Sequence, residues 1–67
     1  MKATIKFHKD SFYFKQGEVE RIVNNLTEVH YNYPSPIAPQ VAFESDIDAT
    51  GFTVKISDIQ EIEITNH

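Results

Sequence analysis

The 67-residue chain predicts an all-β fold, a small antiparallel barrel or roll of about six strands. Three observations predict it. Apolar and polar residues alternate strictly in "KATIKFH". One nine-residue pattern occurs twice, in "VNNLTEVHY" and "ISDIQEIEI", 33 residues apart. A proline-rich stretch, "YPSPIAPQ", separates the two copies.

In the first segment Ala3, Ile5 and Phe7 alternate with Lys2, Thr4, Lys6 and His8, the period-2 signature of a half-buried strand. "SFYFK" alternates as well, with Phe12 and Phe14 on one side and Ser11, Tyr13 and Lys15 on the other. A turn at Lys9-Asp10 would set Phe7 opposite Phe12 and Ile5 opposite Phe14, so the expectation is a hairpin with one apolar face. Tyr13 would then face solvent beside Lys6 and Lys15. Gln16-Gly17 punctuates the chain next.

Residues 18–30 fit two templates. Val19, Ile22, Val23, Leu26 and Val29 form a helical stripe, which would make the fold α+β. Against this, the segment is rich in β-branched residues, Asn24-Asn25 would interrupt the helix, and no capping residue precedes it. The second copy of the pattern favours strands. "FTVKI" alternates with Phe52, Val54 and Ile56 inward, "EIEIT" alternates through Ile62 and Ile64, and Ser57-Asp58 between them has turn chemistry. Matching the copies pairs Val23 with Ile56, Leu26 with Ile59, Glu28 with Glu61, Val29 with Ile62 and Tyr31 with Ile64. Strands are therefore expected at 18–23 and 27–33, with a turn at Asn24-Asn25.

Pro34, Pro36 and Pro39 forbid regular ladder pairing, so a stiff connector is expected between the halves. The Pro36–Pro39 spacing is also one that polyproline-binding domains read. A further strand runs from Val41 to about Ile47, before a turn near Thr50-Gly51. Everything belongs to one small domain, residues 1–67.

Composition narrows function by exclusion. There is no cysteine, which rules out a disulfide framework and a thiolate zinc site. No stretch approaches a membrane span, and the first residues lack a signal-peptide apolar run, so a cytoplasmic setting is expected. A domain this small commonly relies on a staple, and a second subunit, as in a homodimer, is the one that the composition leaves open. The net charge of −4 divides unevenly: residues 1–15 carry four lysines against Asp10, a balance of +3, and the remainder sums to −7.

Few constellations carry chemistry. "DIDATG" begins like a calcium loop, but Ser57 stands where a bidentate glutamate belongs. Glu44, Asp46 and Asp48 share one strand face, an arrangement that discourages edge-to-edge aggregation. His8, His30 and His67 show no spacing that implies a metal site, and neither a phosphate loop nor a nucleophile elbow is present. No cofactor, no metal and no catalytic residue is expected.

The candidate binding surface is Tyr13, His30, Tyr31 and Tyr33 with Lys6 and Lys15. Tyrosines of this kind suit a protein interface, and a protein partner is the leading expectation. Aromatics among lysines on a small β fold would also hold single-stranded nucleic acid, although an acidic chain is a poor phosphate binder. A third reading inverts the electrostatics, with the acidic remainder imitating nucleic acid in an enzyme's channel.

The ending "FTVKISDIQEIEI", after a lysine-bearing first strand, resembles small uncharacterised β-rich proteins of phages and mobile elements of low-GC bacteria. The resemblance covers about the last fifteen residues and implies an accessory or regulatory role. It transfers no functional residue.

Overall fold

The computed structural model describes residues 1–32, 38–46 and 51–66. The elements run β1 (Lys2–Phe7), α1 (Phe12–Lys15), β2 (Glu20–Val23), β3 (Leu26–Asn32), β4 (Gln40–Ser45), β5 (Phe52–Lys55), a 3₁₀ turn (Ile56–Asp58) and β6 (Ile59–Thr65). The six strands form two antiparallel three-stranded sheets, ordered β2-β1-β6 and β3-β4-β5. The fold is therefore mostly β, and residues 18–30 do not form a helix. Among the described residues no ladder joins the two sheets, so they are not closed into a barrel.

One apolar cluster fills the space between the sheets: Ala3, Ile5 and Phe7 from β1, Val23 and Leu26 flanking the first corner, Val41 and Phe43 from β4, and Val54 from β5. Alternation on the two central strands selects Ala3, Ile5, Phe7, Val41 and Phe43, because every second side chain of a strand points to the same face. Burial of each large aliphatic or aromatic side chain stabilises the fold by about 1.5–3 kcal/mol.

The two halves are built alike. β1 and β4 are the central strands, β2 and β5 pair with them within the same half, and β3 and β6 cross to the other half's sheet. Matching the registers aligns Ala3 with Val41, Ile5 with Phe43 and Lys6 with Glu44 on the central strands. Each crossing strand carries a register shift at the same place, between Leu26 and Glu28 in β3 and between Ile59 and Glu61 in β6. The corners are tied by corresponding hydrogen bonds. The Asp46 amide donates to the Asn25 carbonyl at 3.3 Å, and the His8 amide to the Asp58 carbonyl at 2.8 Å.

Both strand–turn–strand units are present, at 20–32 and 52–65, with one change of meaning. Neither is a hairpin, since each turn moves the chain from one sheet to the other. Asn25 takes the left-handed conformation, φ 53°, that asparagine tolerates better than most residues, and the Ser45 hydroxyl donates to the Asn24 carbonyl at 2.8 Å. The second corner is longer, so the register match for buried Val23 is Val54 rather than Ile56. Ile56 lies in the 3₁₀ turn and is 38% exposed, which corrects its expected inward position.

The larger correction concerns residues 11–15. They form no strand with β1, whose partners are β2 and β6. Ser11 caps α1 instead, its hydroxyl accepting from the Phe14 amide at 3.1 Å. The helix ends in a Schellman motif: the Gly17 amide donates to the Phe14 carbonyl and the Glu18 amide to the Tyr13 carbonyl, both at 2.9 Å. Gly17 supplies the positive φ, 92°, that this ending requires. One helical turn places Tyr13 opposite its neighbours. Its ring stacks on Phe7 with centroids 4.3 Å apart, while Phe12 and Phe14 turn outward.

Candidate functional site

Two surfaces display side chains that folding alone does not call for. The first is α1. Phe12 is 68% exposed and Phe14 39%, with Lys9 and Lys15 exposed beside them. The turn that carries them is firmly anchored. Below it, the Arg21 guanidinium lies 5.3 Å from the Tyr13 ring centroid and 4.5 Å from that of Phe52. Glu18 grips the same guanidinium with two hydrogen bonds of 2.8 and 2.7 Å. That bidentate contact holds the Glu18 carboxyl below its ordinary pKa and raises that of Arg21 further. Phe52 stacks on Phe43 and meets Phe7 edge-on, so the anchor runs from α1 into both sheets.

The second surface is the outer face of the β3-β4-β5 sheet. Glu28 and Glu44 stand directly opposite each other on adjacent strands, and His30 is two residues along β3 from Glu28. Alternation puts all three on the face away from buried Val41 and Phe43. His30 Nε2 lies 2.7 Å from Glu44 Oε2 and 3.3 Å from Glu28 Oε2. The hydrogen bond to Glu44, followed by the charge of both carboxylates, raises the imidazole pKa above its ordinary 6.5. Beside the cluster is a shallow depression of about 280 Å³, lined by Ala42, Glu44, Gly51 and Thr53 among others. Gly51 packs close against β4: a Cβ there would meet the Phe43 carbonyl oxygen at 2.5 Å.

The expected site residues divide between these surfaces and the interior. His30 and Glu44 come together. Glu28, their third member, was not among the expected site residues, although its place two positions before His30 on one strand face is legible. Lys6 lies on the outer face of the other sheet, its Nζ 3.3 Å from Glu61. Lys15 is exposed at the end of α1. Tyr13 is turned inward, so the expected platform of Tyr13, Lys6 and Lys15 is not assembled. Tyr31 is 62% exposed at the far part of β3, on the opposite face from His30. Asp46 follows the end of β4 and is exposed. Tyr33, Asp48, His67, Pro34 and Pro36 lie outside the described residues, as does most of "DIDATG".

Among the described residues, no helix is long and apolar enough to cross a membrane. Comparison with protein-family models, with curated proteins and with solved structures gives no match.

Proposed function

We propose that the chain is a non-enzymatic binding module that acts through contact with a protein partner. The observation that carries this reading is the pair Phe12 and Phe14, held out to solvent on a turn whose centre is stacked into the core. Exposed aromatic side chains on a preorganised support lose little conformational entropy on binding and serve as anchors for an interface. Lys9 and Lys15 flank them, so the complementary surface is an apolar socket bordered by carboxylates. An accessory role in the cytoplasm, of the kind the C-terminal resemblance implies, is compatible with such a module.

Affinity capture from the source cells, comparing the unaltered chain with a Phe12→Ser/Phe14→Ser variant, tests the reading. Both residues are exposed enough that the variant keeps its fold, which circular dichroism checks. The expected result is a protein retained by the unaltered chain and lost by the variant. Identical capture by both sinks the proposal. Sedimentation at rising concentrations addresses the homodimer: a mass of two chains supports it, and the mass of one chain at the highest concentration removes it.

A further inference from the structure

We propose that Glu28, His30 and Glu44 form a surface site for a divalent transition-metal ion of the zinc type. The geometry carries it. The three potential ligand atoms, one from each side chain, all lie within 4.8 Å of one another. Tetrahedral zinc with bonds of about 2.0 Å places its ligand atoms about 3.3 Å apart. The His30 Nε2 to Glu28 Oε2 separation is already 3.3 Å. The 2.7 Å contact to Glu44 must open by roughly 0.6 Å, a small rotation for an exposed glutamate. One imidazole and two carboxylates are a normal ligand set for zinc, and three protein ligands leave a fourth position to water or an incoming donor.

The rest of the molecule supplies an independent reason. Like charges placed directly opposite on neighbouring strands repel, and Glu28 faces Glu44 in this way. The corresponding rung of the other sheet is Lys6 opposite Glu61, an ion pair. Where one sheet has a lysine ammonium, the other has a second carboxylate, with an imidazole in reach. Among the described residues His30 makes the ion pairs of both glutamates. The site thus accepts a cation at the place where its counterpart carries one covalently. The two strands that hold the ligands are paired from Leu26 to Asn32, so the donors stand on a ladder and little ordering is needed on binding.

Isothermal titration of the metal-stripped full chain with zinc chloride tests this, with amide NMR spectra recorded alongside. Saturable uptake of one ion per chain is expected, with shifts centred on residues 28–30 and 42–44. His30→Ala and Glu44→Gln should each weaken binding by more than about tenfold, while His8→Ala should leave it unchanged. All three positions are exposed or half-buried, and the spectra report whether each variant keeps its fold. The proposal is overturned by absence of saturable uptake, by unaltered affinity in His30→Ala, or by loss of binding in His8→Ala instead.

Discussion

The outer faces of the two sheets occupy equivalent places in the fold and have been given opposite electrostatics. On one, Lys6 lies between Glu61 of β6 and Glu20 of β2 and closes an ion pair with Glu61. On the other, Glu44 replaces that lysine, faces Glu28 and leans on His30. On the β2 side, Glu20 has as its counterpart Gly51, which carries no side chain and lines the depression. Ladder register, bulges and corner bonds agree between the halves, so backbone architecture does not dictate these residues. Charge has been left to vary on a frame that does not.

The largest effects should fall where the sheets are alike. Phe43→Ala and Ile5→Ala remove equivalent side chains that are 1% and 0% exposed. Each should cost about 2–5 kcal/mol, enough to unfold much of a domain this small, as urea denaturation would record. A large loss at one position and a negligible one at the other would break the equivalence.

Next comes the glycine. Gly51→Ala must displace either the added methyl or the Phe43 carbonyl, 2.5 Å away, and should cost about 1–3 kcal/mol. Glu20→Ala, the corresponding change on the other sheet, should be nearly neutral because Glu20 is exposed. Equal thermal midpoints for the two variants would contradict the steric account.

Arg21→Ala should cost about 1–2 kcal/mol by removing the guanidinium from between Tyr13 and Phe52. Arg21→Lys should recover only part of it, since an ammonium lacks the flat stacking surface and the forked donors. The same residue controls a pH dependence. The folded-state pKa of Glu18 lies below its ordinary 4.5, chiefly through the hydrogen bonds from Arg21. The stability that this pair contributes is therefore complete above that value and is lost as pH falls through the folded one. Denaturation midpoints of Arg21→Ala should show a shallower acid decline than those of the unaltered chain; parallel declines would assign the acid sensitivity elsewhere.

The smallest change sharpens the comparison most. Glu44→Lys rebuilds on β4 the rung that Lys6 and Glu61 form, and should stabilise the metal-free chain by about 0.2–1 kcal/mol. Lys6→Glu should cost a similar amount. If Glu44→Lys destabilises, the contact between Glu44 and His30 outweighs the repulsion from Glu28.

Much of the fold was legible because the central strands alternate and the corners are spelled in turn residues. β1 and the elements on either side of Asn24-Asn25 and Ser57-Asp58 occur where the pattern places them. The segment around Tyr13 is a helical turn where alternation predicts a strand, for a definite reason. Phe12 and Phe14 alternate with Tyr13 in sequence, and one turn of helix also sets Tyr13 apart from both, so period alone does not separate the two shapes. Ser11 and Gly17, a cap and a terminator around the aromatics, were the available signal. Arg21 was hidden by its charge, since nothing local shows that its guanidinium would be sandwiched between two rings. In the second surface, Glu28 and His30 share a strand, but Glu44 joins them only through the pairing of β3 with β4. That register is set across the proline stretch, whose length in space a sequence does not state.

The exchange of third strands also constrains the order of events during synthesis. β1 can pair with β2 once the first third of the chain has emerged, but its other neighbour is β6, where Ile5 meets Ile62. Until β6 leaves the ribosome, the central strand keeps one edge bare, and β3 likewise waits for β4. Neither sheet can be completed from its own half. Folding is therefore deferred until β6 has been made and depends on contacts distant in sequence, which makes it slow for a domain of this size.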